Sequence, residues 1–244
     1  MIENNLERKF KIFVDFDGTI SPIDVGEKIF IQFSDKVKAQ NIIDRWIKKE
    51  INSFTSWQLL CDTITDFNQK EFDSFIDSIK IEPSFKNLLD FCKNNNFELY
   101  ILSDGLDYYI KRILKNEGLS DVPFFSNHLL IDKTNKLQPI FPFADEECKR
   151  CGNCKRNHIL NFSDDFDYTV YIGDGSSDTC PAQHCDFIFA KKTLLKFCEL
   201  NRISYYPFKN FDEIVTILNE LKNRKRLKKR HQAELKRREV YIQG

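Results

Sequence analysis

The chain lacks any apolar run of membrane-spanning length, and no apolar stretch precedes the first strand-like segment near Lys11. It starts Met-Ile-Glu-Asn-Asn-Leu-Glu, without the apolar core of a secretory signal. The expected compartment is therefore cytoplasmic, and no membrane partner is expected. Internal repeats are absent too, and biased sequence is confined to the carboxyl end. Net charge is missing, since 37 basic residues balance 37 acidic ones. The balance is uneven. Residues 222–239 hold ten Lys/Arg and two acids, leaving 27 basic against 35 acidic residues elsewhere, a body near −8 with a tail of +8. No aromatic residue interleaves with the basic ones from Lys222 to Arg238, so base stacking is not supported and a nucleic-acid partner is not expected. A solvated, partly helical end is the simpler reading of the tail. With no export signal, the eight cysteines are expected to be reduced thiols or metal ligands in the cytosol, not a disulfide framework.

What is present is ample core material, 41% hydrophobic residues including 23 Phe. A chain of 244 residues accommodates one α/β domain, alone or with a smaller inserted one. Short apolar runs at 11–14, 97–102, 168–172 and 187–190 read as buried strands, with 203–206 as a further candidate. Helical patterns separate them, so the expected fold is α/β, doubly wound and mostly parallel, Rossmann-like. Between the first two strands, Ile42, Ile43, Trp46 and Ile47 form one helical stripe, and Phe72, Phe75, Ile76 and Ile79 another. Sixty residues of helix exceed what a crossover needs. The expected organisation is a core at 1–20 and 81–221, a helical cap at 21–80, and a basic tail at 222–244. An elaborated crossover packed on the sheet is the competing reading of 21–80. Residues 124–143 suggest short strands or a hairpin around Asp132-Lys133-Thr134-Asn135.

The organising stretch is Asp15-Phe16-Asp17-Gly18-Thr19, at the carboxyl end of the first strand. Side chains at i and i+2 of an extended chain face the same way, so Asp15 and Asp17 can enter one site. Carboxylates forced together repel unless a cation or a shared proton relieves them. Such oxygen-rich sites suit Mg²⁺. Two other strands end in polar turns, Ser103-Asp104-Gly105 and Gly173-Asp174-Gly175-Ser176-Ser177-Asp178. In open α/β sheets ligands bind outside the carboxyl ends of the strands, where these loops converge if the strands are neighbours. Backbone N–H groups after Ser103 would receive phosphoryl oxygens, and Lys155 could add positive charge. A carboxylate is a competent nucleophile toward phosphorus, and a second one can serve as acid and then base.

These four ordered motifs, Asp15–Thr19, Ser103, Lys155 and Gly173–Asp178, resemble those of the haloacid dehalogenase superfamily of phosphatases. The resemblance spans residues 11–220 and includes a helical insertion where type-1 caps occur. It implies a Mg²⁺-dependent phosphomonoesterase acting on a small organic phosphate, with Asp15 as nucleophile and Asp17 as general acid/base. Ser103 and Lys155 would bind phosphate, Asp174 would bind Mg²⁺ and Asp178 would support it. Asp15 and Asp17 join that metal set, while Asp24, Asp104 and Ser177 join the substrate-binding set.

Within the superfamily, Ser103–Tyr109, Cys148–Lys155 and Phe187–Lys191 look like the 2-hydroxy-3-keto-5-methylthiopentenyl-1-phosphate phosphatases of methionine salvage. They are similar, more loosely, to phosphoserine and to phosphoethanolamine/phosphocholine phosphatases. Asp24 falls where the phosphoserine enzymes carry a substrate-binding acid. A helix N-cap ahead of Val25–Phe33 explains it equally well. Cys148, Cys151 and Cys154 have metal-ligand spacing, with His158 one turn beyond, so a structural zinc site stands beside the reading of reduced thiols in a loop that positions Lys155. Two further functional readings stay open: a catalytically silent binding module, and phosphoryl transfer to an acceptor other than water.

Overall fold

A computed structural model describes residues 8–243. In chain order the elements are β1 (Phe10–Val14), α1 (Val25–Phe33), α2 (Lys36–Ile47), α3 (Ser53–Asp62), α4 (Gln69–Ser78), α5 (Phe85–Asn94), β2 (Glu98–Leu106), α6 (Asp107–Asn116), β3 (Phe124–Ile131) and β4 (Leu137–Ile140). They continue with α7 (Lys155–Phe162), β5 (Tyr168–Gly173), α8 (Thr179–Ala182), β6 (Phe187–Ala190), α9 (Lys192–Leu200), β7 (Tyr206–Pro207), α10 (Phe211–Asn223) and α11 (His231–Gln243). The class is α/β, with a mostly parallel seven-stranded sheet ordered β4-β3-β2-β1-β5-β6-β7. The chain divides into two compact units, residues 1–14, 83–100 and 158–244 in one and 15–82 and 101–157 in the other.

In the first unit, β1 pairs parallel with β5, β5 with β6, and β6 with β7. The registers Phe13↔Tyr171 and Ile172↔Phe189 place side chains that are essentially inaccessible to solvent. That double-sided burial is why these strands read as unbroken apolar runs rather than as alternating ones. The Phe85 ring of α5 meets Phe211 of α10 edge-on, centroids 5.1 Å apart, and the Ser84 hydroxyl accepts the Phe211 N–H at 2.8 Å. The last strand is shorter and later than expected. Only Tyr206–Pro207 pairs with β6, while Ile203 is buried outside the ladder.

The basic end is docked rather than merely solvated. Arg230 donates to the carbonyls of Ala182, Gln183 and Cys185 at 2.7 to 2.9 Å. Arg237 donates to the His184 carbonyl at 2.6 Å and approaches Asp186 at 3.4 Å. Asp186 also accepts the N–H and hydroxyl of Thr169. A guanidinium supplies several donors in one plane, which lets a single side chain close the carbonyls after α8.

In the second unit, helices α1 to α4 each begin on an Asx N-cap. Asp24, Asp35, Asn52 and Asn68 each accept backbone N–H groups of the first turn. Phe72 and Ile76 of α4 are buried as their period requires, but Ile47 of α2 is 53% exposed. Across the α4–α6 seam, Arg112 holds Asp77 at 2.6 Å and Asp73 at 3.1 Å, and the Tyr108 hydroxyl donates to Asp73 at 2.6 Å. β2 pairs parallel with β3, and β3 antiparallel with β4 around the Asp132–Asn135 turn, the expected hairpin. β2 does not stop at Leu102. It runs to Leu106, with a register shift against β3 between Leu102 and Leu106, so Ser103-Asp104-Gly105 is a bulged strand end rather than a free loop.

Replacing Arg230 with Ala leaves three carbonyls without their charged donor, an expected cost of about 2–3 kcal/mol. A urea midpoint indistinguishable from the parent would show the carboxyl end to be merely solvated.

Candidate active site

β1 is buried except at Lys11, which is half-buried, and the turn after it opens with Asp15. Asp15 is 4% exposed, and Lys155 Nζ, on a side chain equally withdrawn from water, donates to its Oδ1 at 2.5 Å. Pairing is what allows two charges to stay in so dry a place. Gly18 sits at φ +78°, and its N–H meets the Ile23 carbonyl at 3.0 Å. Only glycine takes that left-handed bend without strain, and the bend brings α1 back toward Asp17.

Asp17 is ringed by donors. Its Oδ1 accepts the Val25 N–H at 2.9 Å, and its Oδ2 accepts the Tyr109 hydroxyl at 2.7 Å and the Ser103 hydroxyl at 3.2 Å. Loss of water pushes its pKa up, and Tyr109, Val25, Ser103 and the charge of Lys155 pull it back. A carboxyl poised between those pulls is suited to taking up and releasing a proton. Tyr109 reaches it because residue 105 is glycine. A Cβ there would stand 1.7 Å from the tyrosine oxygen and 2.8 Å from Asp17 Oδ2. The apolar period of α6 marks Tyr109 as core, and nothing in the sequence signals its hydroxyl.

Ser103 is 1% exposed, and while donating to Asp17 its hydroxyl accepts the Gly105 N–H at 2.9 Å. The Asp104 carboxylate, by contrast, is taken up by protein donors. Ser53 donates to Oδ2 at 2.6 Å, and the Asn153 N–H and Asn127 amide donate to Oδ1 at 3.0 and 3.3 Å. Burial pushes its pKa up, and these donors bring it partly back. Asn153, fully buried, also donates from its side chain to the carbonyls of Ser103 and Phe125 at 2.7 and 2.8 Å. It stands two residues before Lys155. Asn127 and Asn153 sit in positions that sequence reasoning passes over, because a buried amide has no periodic signature.

Asp24 is exposed and caps α1, accepting the Glu27 N–H at 2.8 Å. All eight cysteines are free thiols. Cys154 is buried, Cys148 and Cys151 are half-buried, and among the described residues these thiols do not gather into a group of three metal ligands. Burial lowers the His158 pKa to about 4.

The other unit carries the remaining predicted residues. Asp178 is fully buried; its Oδ2 accepts the N–H groups of Asp174 and Gly175 at 2.9 and 2.8 Å, and its Oδ1 accepts the Tyr171 hydroxyl at 2.6 Å. It shapes the loop that presents Asp174. Asp174 is buried and pairs with Lys192 at 2.8 Å; burial and the neighbouring Asp178 push its pKa up against the pull of Lys192. Ser177 is half-buried in the same loop. Asp15, Asp174 and Asp178 are each buried and each offers a carboxylate oxygen, the donor type that a hard divalent cation takes. The chemistry of these carboxylate donors, taken residue by residue, fits Mg²⁺.

Comparison with known proteins follows the same lines. Residues 10–205 match the model of a family described as Putative Phosphatase. The chain is 29% identical over 218 residues to a 2-hydroxy-3-keto-5-methylthiopentenyl-1-phosphate phosphatase of Bacillus thuringiensis (strain Al Hakam), covering 86% of this chain and 96% of that one. Among solved structures, a phospho-aspartyl intermediate analogue of phosphoserine phosphatase superposes with a TM-score of 0.68 at 19% identity, covering 86% of this chain and 99% of that one. Phosphoserine phosphatase from T. onnurineus superposes with a TM-score of 0.65 at 16% identity, over 93% and 100%. No helix among the described residues is long and apolar enough to cross a membrane.

Tyr109→Phe removes the largest of the contacts that lower the Asp17 pKa, so that pKa is expected to rise. If Asp17 acts as an acid, activity falls as pH climbs through its pKa, and the alkaline limb of kcat/KM for a phosphomonoester should move to higher pH. An unmoved or lowered limb would remove Asp17 from that role.

Proposed function

We propose, from the premise that the chain belongs to the family described as Putative Phosphatase and is a phosphoric-monoester hydrolase of the haloacid dehalogenase type, that its substrate is 2-hydroxy-3-keto-5-methylthiopentenyl-1-phosphate and that the reaction passes through phospho-Asp15. The observation that carries the mechanism is the pair Asp15 and Asp17. One is a carboxylate held by Lys155, the other a carboxyl of raised pKa ringed by Tyr109, Ser103 and the Val25 N–H. The substrate follows the name of the Bacillus relatives.

An Asp15 oxygen attacks phosphorus as the bond to the ester oxygen breaks, and Asp17 passes its proton to that leaving oxygen. Asp17, now ionised, then takes a proton from the water that attacks phospho-Asp15, and phosphate leaves with Asp15 restored. Lys155 orients Asp15, and its charge with the Ser103 hydroxyl receives phosphoryl oxygens. Asp15 and Asp174 would hold Mg²⁺, and Asp178 would support Asp174 through its loop; Asp17, whose carboxyl oxygens are taken by Val25, Tyr109 and Ser103, is left for proton transfer. When bound, the cation neutralises phosphate charge and aligns the ester. Residues 21–80 act as the cap over a core of 1–20 and 81–221, reading the leaving group through Asp24 and its neighbours, while 222–244 remains a basic tail outside the reaction. Ser177 assists substrate binding. The enzyme works in the cytosol on a small soluble ester, with neither membrane nor nucleic acid as partner.

Phosphate release is the test, with Mg²⁺ and a panel of the methylthiopentenyl ester, phosphoserine, phosphoethanolamine and phosphocholine. The first should be turned over fastest. Asp15→Asn is expected to lose roughly 10⁴-fold or more, and Asp17→Asn about 10²–10⁴-fold. Chelation should abolish release and Mg²⁺ restore it. Faster turnover of phosphoserine would overturn the substrate. No release from any ester, with Asp15→Asn equal to the parent, would overturn the chemistry.

A further inference from the structure

The Asp104 carboxylate is engaged inside the protein, yet Asp104 lies between Ser103 and Gly105, which line the Asp17 site. Ser53 and Trp57 are four residues apart on α3, hence on one face of that helix. Both grip Asp104. Ser53 donates to its side chain at 2.6 Å, and the Trp57 indole N–H donates to its carbonyl at 2.8 Å. The same carbonyl accepts the Asn127 amide at 2.6 Å. On its other oxygen Asp104 accepts the Asn153 N–H, while the Asn153 side chain returns to the Ser103 carbonyl. The start of α3 is tied to the same region twice more, the Ser53 N–H to the Arg150 carbonyl at 3.1 Å and the Asn52 amide to the Lys149 carbonyl at 3.3 Å. Trp57 lies so close to α1 that a Cβ on Gly26 would sit 2.6 Å from its ring.

We propose that Asp104 is a positioning residue, joining α3 to the Ser103–Gly105 strand end and to the loop ahead of Lys155, so that phosphate site and leaving-group side are set as one body. This rests on the phosphatase reading above. It differs from a substrate-binding role in what it requires of the side chain. A positioning carboxylate needs two hydrogen-bonding atoms in the right places and no charge. Asparagine supplies both: its oxygen can accept from Asn153 and its amide can donate to the Ser53 hydroxyl. A group that binds substrate through its charge would not tolerate that exchange.

Two readouts test this. The first is the ratio of kcat/KM for the methylthiopentenyl ester to that for p-nitrophenyl phosphate, whose leaving group is unrelated. Ser53→Ala, which cuts the tie outside the reacting groups, should lower the ratio about tenfold. Asp104→Asn should keep it within about threefold of the parent, and Asp104→Ala should lose it as Ser53→Ala does. The second needs no turnover. Trp46→Phe leaves Trp57 as the sole tryptophan of the chain. Its emission should respond to inorganic phosphate with Mg²⁺, and the response should vanish with Ser53→Ala yet persist with Asp104→Asn. A parent that binds phosphate without an emission change, an unchanged ratio in Ser53→Ala, or Asp104→Asn as damaged as Asp104→Ala each overturns the proposal. Failure of the parent to hydrolyse any ester would strike the phosphatase reading instead, and the emission measurement would still decide the coupling.

Discussion

A carboxylate taken out of water has to be compensated within the protein, and that demand recurs at each acidic position that matters here. The ways it is met differ, and the differences separate chemistry from architecture. Asp15 is met by the Lys155 ammonium. Asp17 is met by two hydroxyls and one N–H, with the charge of Lys155 nearby, and these do not offset its loss of water, so its pKa stays above the ordinary carboxylate value. Asp178 is met by two backbone N–H groups and a tyrosine hydroxyl that leave it shaping a loop. Asp186 is met by Thr169 and by the two arginines that hold the carboxyl end in place. The pair proposed to react is the one whose compensation still permits a change of protonation or of bonding partner.

The same accounting explains why the helical segment between β1 and α5 is tied where it is. Its four helices start on Asx caps, so each has its first-turn donors satisfied locally and needs little from elsewhere to begin. What it cannot supply alone is its placement. That comes from α4 against α6, through Arg112 with Asp73 and Asp77, and from α3 against the Ser103 strand end, through Ser53, Trp57 and Asp104. Both ties reach the elements that carry Ser103 and Tyr109, the two hydroxyls on Asp17.

Much of this was legible in the residues. Apolar runs located β1, β5 and β6, and turn chemistry located the β3–β4 hairpin, because burial and turns leave local marks. The four motifs offer Asp15, Asp17, Ser103, Lys155 and Asp174 as candidates through their resemblance to a phosphatase superfamily, and the match to a phosphatase family carries the chain to that class. The misses have a common cause. Tyr109, Asn127 and Asn153 are ordinary by local pattern and matter only for where their polar ends arrive. The charge of the basic end points to a solvated tail, whereas its Arg230 and Arg237 close carbonyls far back in the chain. β2 was stopped at its polar residues, although Ser103-Asp104-Gly105 stays in the strand because their polar groups find partners there.

The sequence by itself determined the class of the fold and the class of the chemistry, and it offered the helical insertion and the candidate phosphate-site residues as expectations, since each reading depends on neighbours within a few positions. Only the tertiary structure decided which carboxyl would sit among hydroxyls with its pKa raised, which would pair with lysine, and which would spend both oxygens holding the scaffold. Those outcomes depend on groups tens of residues away, such as Tyr109 on Asp17 and Ser53 on Asp104, and on the water that their approach removes.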